Sequence, residues 1–264
     1  MTETFHLSSE QARTYDEVFV PALFAQWAPQ LVSCARIRAG DDVLDVACGT
    51  GVVARAVADV VGAGGRVVGV DLNPAMLEVA GARSPDLEWR IGDAEDLPYR
   101  EGEFAHALCQ SALFFFPDPR RAVAEMARVV RRGGTVALQT YAGLDRQPAY
   151  GPFVDAVARL AGPEVRVLLG TYWSQGQLAG LCDLLVEAGL EVVETRSSLG
   201  TVSFPSADTL VRTEIAATPL VERIDPRAMD AVLVECRAVL APFVRLDGGV
   251  DAPIRALMVA ARKP

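Results

Sequence analysis

Asp45, Gly49, Gly51 and Asp71 are the residues whose types and spacing point to chemistry. Val43, Leu44 and Val46 read as a short buried strand with Asp45 near its C-terminal end. Gly49 and Gly51 then let the backbone turn into a helix beginning near Val52. A ligand can approach a backbone without side chains, and the helix N-terminus beyond offers unpaired N–H donors. Val67, Val68 and Val70 form a second apolar run that ends in Asp71, twenty residues past Gly51. A carboxylate at the tip of the second strand of an open α/β sheet is placed to hold ribose hydroxyls. The two signals together predict a nucleoside-containing cofactor.

Gly49-Thr50-Gly51-Val52-Val53-Ala54 fits G-x-G-x-x-G/A, a dinucleotide fingerprint that is weak alone. Asp45, four residues before Gly49, would repel a pyrophosphate yet could accept a hydrogen bond from an ammonium group. S-adenosyl-L-methionine (SAM) has an amino-acid end and no phosphate. Ile91-Gly92-Asp93-Ala94-Glu95-Asp96-Leu97-Pro98 follows a third short strand and puts Asp93 where it could accept a bond from an adenine amino group. From Phe104 to Leu138 the pattern is strand, aromatic loop (Leu113–Pro119), helix and strand, the helix ending at Arg131-Arg132-Gly133-Gly134.

On these motifs the chain resembles the class I SAM-dependent methyltransferases, most closely the UbiE/type 11 branch that modifies small molecules. The resemblance spans roughly residues 41–140. It rests on Asp45-x-x-Cys48-Gly49-Thr50-Gly51, on Val70-Asp71-Leu72-Asn73-Pro74-Ala75-Met76-Leu77, on Gly92–Pro98, and on Phe116-Pro117-Asp118-Pro119 before Glu125-x-x-Arg128-Val129-Val130-Arg131-x-Gly133-Gly134. The family usually opens strand 4 with Phe-Asp; this chain has Phe104-Ala105-His106. The resemblance implies SAM as cofactor and S-adenosyl-L-homocysteine (SAH) as product. It implies a cofactor shell of Tyr15, Asp45, Ala47, Cys48, Gly49, Gly51, Asp71, Leu72, Met76, Gly92, Asp93, Ala94, Gln110 and Ser111. Asp45 and the glycine loop would hold the methionine end, Asp71 the ribose, and Asp93 and Ala94 the adenine. Leu72 and Met76 would pack on the adenine faces, and Gln110 and Ser111 would line the cofactor beside strand 4.

Five strands near 42–47, 66–71, 87–91, 104–109 and 134–140 alternate with helical patterns, which predicts a parallel sheet with helices on both faces. The fold class is α/β, a Rossmann-like doubly wound seven-stranded sheet. It is parallel apart from an antiparallel strand at one edge, and it carries N-terminal helices and a helical cap insertion. The whole chain reads as one methyltransferase domain. Residues 1–40 would form a helical lid broken or restarted at Pro21 and Pro29, 41–140 the cofactor core, and 141–189 with 205–250 substrate-cap elements. Ser8-Ser9-Glu10 is a helix-start signal. If the lid reading holds, Tyr15 contacts cofactor or substrate; otherwise it is an aromatic packed between helices. A helix from Ser174 to about Ala188, a strand from Leu190, helices over 206–217 and 226–243, and a closing strand over Arg255–Ala261 complete the pattern.

Methyl transfer is an in-line displacement in which alignment supplies much of the rate, so no conspicuous catalytic dyad is needed. Candidates for a general base are His6, Tyr15, His106, Tyr172 and Glu214. His106 lies inside strand 4, away from the strand tips. The net charge of −9 argues against a nucleic-acid partner, and Gln110-Ser111-Ala112-Leu113 stands where base-modifying enzymes carry an Asn/Asp-Pro-Pro-Tyr type motif. The arginines at 120, 121, 128, 131 and 132 read as a solvated helix face. Two histidines and five cysteines without a CxxC exclude an evident metal site and suggest reduced, buried thiols at Cys34, Cys109 and Cys182. With no signal-like segment or apolar run long enough to span a bilayer, the expectation is a cytoplasmic protein acting on a small molecule, without membrane or nucleic-acid partner and with a homodimer left open. The alternatives are a SAM-binding chain without methyl transfer, either a partner subunit or a cyclisation enzyme, and an NAD(P)-dependent oxidoreductase.

Overall fold

The computed structural model describes residues 8–216 and 224–264. His6 lies outside them. Two compact units are distinguishable. The first comprises residues 1–140, 177–197 and 257–264, and the second 141–176 and 198–256.

The first unit opens with α1 (Ser9–Thr14), capped by a Ser8–Gln11 capping box. A π-helical segment, Tyr15–Phe24, follows directly, and then α2 (Ala28–Ala35). Pro21 sits inside the π-helical segment instead of breaking it. The wider turn, in which Ala25 N–H donates to Val20 O at 2.8 Å, tolerates a residue that has no N–H to give. Pro29 starts α2, as expected of a proline at a helix's first turn.

β1 (Asp42–Val46), β2 (Arg66–Asp71), β3 (Glu88–Ile91), β4 (Phe104–Gln110) and β5 (Val130–Tyr141) are separated by α3 (Val52–Val61), α4 (Pro74–Arg83) and α5 (Pro119–Val129). The pairs β1–β2, β1–β4, β2–β3 and β4–β5 are all parallel. Val43, Leu44, Val46, Ala107 and Leu108 are fully buried, as a strand covered on both faces requires. Asn73-Pro74 and Asp118-Pro119 start α4 and α5 by one device: the side-chain oxygen accepts backbone N–H groups of the first turn and the proline fills a position with no hydrogen bond to lose. α8 (Leu178–Glu187) also belongs to this unit.

The second unit holds α6 (Tyr150–Ala161), α7 (Val165–Gly170), α9 (Ala207–Ala216) and α10 (Pro226–Leu240). Phe153, Val157, Ile215, Val232 and Cys236 are buried in it. β6 (Glu191–Phe204) and β7 (Val250–Arg262) contribute residues to each unit. The sheet order is β3-β2-β1-β4-β5-β7-β6. β7 runs antiparallel to β5, with Gly133 N–H donating to Lys263 O, Lys263 N–H to Gly134 O and Ala142 N–H to Arg255 O.

Several boundaries differ from the sequence expectation. β5 begins at Val130, not after the glycines, because Val130 pairs with Phe104 and Gly133 pairs with Lys263; Gly133, at φ +80°, carries an irregularity inside the strand. β6 is one strand through Phe204, and β7 starts at Val250. Residues 150–170 are mostly helical. Cys34, Cys48, Cys109 and Cys236 are buried free thiols, but Cys182, on α8, is only half-buried. Arg120 and Arg121 are exposed, in keeping with a solvated helix face, and pair with Glu187 and the Glu95 carbonyl, while half-buried Arg128 pairs with Glu125. Among the described residues, no single helix is long and apolar enough to cross a membrane, and no group of side chains is arranged to hold a metal.

Candidate functional site

The C-terminal ends of β1, β2 and β4 carry the candidate site. Beyond β1 the chain turns through Ala47 (φ +55°), Gly49 (φ +54°) and Gly51 (φ +84°), all in the left-handed region. Ser111, just past β4, is also there at φ +53°. Non-glycine residues in this conformation cost free energy and concentrate at functional sites. Glycine at 49 and 51 removes that cost where the loop enters α3.

Asp45 is 1 % exposed, and its Oδ2 accepts the Ala54 N–H at 2.9 Å. Burial pushes its carboxyl up to about 8; the Ala54 bond opposes this and nearby Asp71 adds to it. Asp71 uses both oxygens: Oδ2 accepts Gly49 N–H and Oδ1 accepts Asn73 N–H, each at 2.8 Å. Burial raises its carboxyl as well, against the pull of those two bonds. No lysine, arginine or histidine among the described residues forms an ion pair with either carboxylate. The loop is therefore flanked by two carboxyl groups without a cationic partner, and burial keeps that of Asp45 largely protonated near neutral pH until a positive charge accompanies it. It disfavours a pyrophosphate and favours a ligand that brings positive charge.

Tyr15 lies against the loop: a Cβ built on Gly49 would come within 3.9 Å of its ring. The Tyr15 ring stacks on Phe24 at 5.3 Å. Gln110, 8 % exposed, donates from Nε2 to the Phe24 carbonyl at 3.1 Å, while its Oε1 is buried without a partner. Ser111 Oγ donates to Gln139 Oε1 at 2.6 Å. Cys48 is buried beside the loop, and burial drives its thiol far above the usual range. Leu72, at the tip of β2, leaves 49 % of its surface exposed. Met76 is half-buried on α4 and Ala94 is buried. Gly92 N–H donates to the Asp71 carbonyl, which ties the two loops together. Asp93 is exposed, and its Oδ1 accepts the Glu95 N–H at 2.9 Å.

The base candidates do not gather at this loop. His106 stands in register with Val43 at the start of β1, four residues before Gln110, or about 13 Å along the strand. Its Nε2 lies 3.0 Å from Asp41 Oδ2, and burial lowers its pKa against the pull of that carboxylate. It is part of the opposite end of the sheet. Tyr172 and Glu214 belong to the second unit. There Tyr150 OH donates to Glu214 Oε1 at 2.9 Å, and Trp173 packs on Tyr150 and Tyr141. Burial pushes Glu214 up to about 7, opposed by the Tyr150 bond, and raises the Tyr150 and Tyr172 phenols further.

Two features had no local signal in the sequence. Trp89, directly across from Gly69 in the β2–β3 register, lies under the glycine loop. A Cβ on Gly51 would meet its ring at 2.9 Å from Cζ3 and closer still to Cη2. Asp16, Arg55 and Arg83 form the second feature. Asp16 Oδ2 accepts from Arg83 Nε at 2.7 Å, and Arg55 Nη1 donates to the Thr50 carbonyl at 2.6 Å.

Asp45 gives a test by pH. Its folded pKa of about 8 exceeds the ordinary 3.8, so the folded state binds the proton more tightly. Its contribution to stability is full below about pH 4 and is lost as pH rises towards 8. Asp45→Asn keeps an acceptor for Ala54 and removes the charge. Melting curves of the ligand-free variant should lie above those of the native chain at pH 8 and converge with them near pH 4. SAH affinity should fall by about tenfold or more, the loss of one charge-assisted hydrogen bond.

The doubly wound sheet, its glycine loop and its strand-tip carboxylates define the class I methyltransferase fold. The family model described as "Methyltransferase domain" matches residues 44–138. The chain is 32% identical to the nocamycin O-methyltransferase of Saccharothrix syringae over 217 residues, 76% of either protein. The chain belongs to this methyltransferase family. It is also 34% identical to the 2-phytyl-1,4-naphtoquinone methyltransferase of Synechococcus elongatus over 134 residues, covering 48% of this chain and 55% of that one. It spans about half the length of several curated relatives it matches. In fold it resembles the Haemonchus contortus phosphoethanolamine N-methyltransferase 2 in complex with SAM, with a TM-score of 0.60 at 16% identity, covering 97% of this chain and 57% of that one.

Proposed function

We propose that the chain is a SAM-dependent methyltransferase that transfers a methyl group to a small-molecule acceptor by in-line displacement. The observation that carries this reading is the pair of carboxyl groups, buried Asp45 and half-buried Asp71, on either side of a left-handed glycine loop with no ion-pair partner. That site suits a ligand with an ammonium group and ribose hydroxyls and disfavours a dinucleotide pyrophosphate. When bound, SAM supplies a methyl group activated on a sulfonium. Asp45 and the Gly49–Gly51 loop hold the amino-acid end, Asp71 the ribose, and Asp93 with Ala94 the adenine. The exposed Leu72 gives adenine an apolar face, with Met76 beside it. Gln110 presents its unpartnered Oε1 as one more acceptor for a donor on the ligand.

The relatives named for nocamycin and for a naphthoquinone support a small organic acceptor.

Calorimetry of the native chain with SAH and, in parallel, with NAD+ tests the reading. We expect one SAH per chain and no heat from NAD+. Methyl label from SAM should then appear in a small-molecule product of an extract supplied as acceptor that separates from SAM by chromatography and is absent without the chain. A folded chain that binds NAD+ and ignores SAH overturns the proposal.

A further inference from the structure

Asp16 is a charged side chain with only 5 % of its surface exposed, on the N-terminal π-helical segment. It stands between two cations from different helices of the core. Oδ2 accepts from Arg83 of α4 at 2.7 Å, and Oδ1 lies 3.9 Å from Arg55 Nη2 of α3 with no hydrogen-bond partner of its own. Arg55 is committed in two directions: its Nη1 donates to the carbonyl of Thr50, the residue between the two loop glycines. A chain of contacts therefore runs from the N-terminal segment through Asp16 and Arg55 into the glycine loop.

The residue preceding Asp16 is Tyr15, whose ring lies against Gly49. One helical turn thus delivers an aromatic ring to the outside of the loop and a carboxylate to the arginine that grips the loop's backbone. α1 has its own anchors on α4, Ser9 Oγ to Glu78 at 2.7 Å and Arg13 to Glu78 at 3.7 Å. The helix does not need Asp16 to stay attached. Burying this carboxylate is costly, and its two cationic partners offset that cost only in this geometry. A π-helical register at this point is the kind of irregularity that re-aims side chains at functional sites.

We propose that Asp16 is a positioning residue for the cofactor. Through Arg55 it fixes the Thr50 carbonyl and hence the course of the glycine loop. The inference rests on the reading of the loop as a SAM site.

The test is a double-mutant cycle read in SAH affinity, with melting temperature recorded for every variant. Asp16→Asn and Arg55→Gln each weaken SAH binding by about tenfold or more, and the double variant is no weaker than the worse single one. Arg83→Gln breaks the other side of the pair without touching the loop; it lowers the melting temperature and changes affinity less than about threefold. If Asp16→Asn fails to fold, Arg55→Gln against Arg83→Gln still separates the loop link from simple packing. Folded Asp16→Asn and Arg55→Gln proteins that bind SAH like the native chain overturn the proposal, as do losses that multiply independently or an Arg83→Gln loss equal to theirs. A native chain that fails to bind SAH overturns the cofactor reading itself, and this proposal with it.

Discussion

Asp71→Asn should bind SAH about 100-fold more weakly than the native chain. The isosteric change is severe because both carboxylate oxygens already accept backbone N–H groups, from Gly49 and from Asn73. An asparagine can place its carbonyl towards only one of them and must turn an NH2 group towards the other. One bond is lost and two donors face each other. Hydrogen bonds to a charged group contribute about 1.5–3 kcal/mol each, and losing one together with the acceptor for a ribose hydroxyl gives roughly the 3 kcal/mol that 100-fold represents. Each Asp71 oxygen keeps a second lone pair, so loop bracing and ligand binding do not compete. Calorimetric titration of SAH into the variant and into Asp59→Asn, an exposed control on α3, measures the difference. Affinity within about threefold of the native value at position 71 would mean that the ribose lies elsewhere.

The same residue shows what could be read from the chain alone. An apolar run ending in an acid and the glycines before α3 are local signals, and each fell where the spacing put it; the Asn-Pro and Asp-Pro helix starts are made by equally local residues. They are local because a strand covered on both faces has to be continuously apolar, and because a cap is made by residues adjacent in sequence. What could not be read depends on register between distant segments. Val130 joins β5 because Phe104 pairs with it, although the helix pattern runs on through Arg131. Pro21 looks like a break, yet the five-residue repeat around it accommodates a missing donor. Asp16 meets Arg83 across 67 residues of sequence, with no pattern to announce it. His106 has the chemistry of a base, but alignment with Val43 sets it beside Asp41, at the wrong end of the sheet for the strand-tip carboxylates.

The largest effect on stability is expected at Gly69, in the middle of β2. A single methyl there would fall 2.5 Å from Trp89 Cε3 and 2.9 Å from Cys48 Sγ. The indole cannot retreat easily. Its Nε1 donates to the Ser84 carbonyl at 3.0 Å, and its far edge already fills the space beside Gly51. Cys48 is held from the other side, its N–H donating to the Val70 carbonyl at 3.0 Å. Overpacking of this kind costs about 1–3 kcal/mol, and in a chain of this size about 2–4 °C of melting temperature per kcal/mol. Gly69→Ala should therefore melt up to about 10 °C lower, and it should bind SAH more weakly, because the strain is relieved most cheaply by lifting the glycine loop off the indole. Trp89→Leu alone opens a cavity and is destabilising too. Combined, the two changes should cost at least about 1 kcal/mol less than their sum, since the smaller side chain makes room for the new methyl. Thermal melts of the four proteins measure this coupling. Strict additivity would show that the strand accommodates the methyl without the indole, and that the floor of the loop is not set by Trp89.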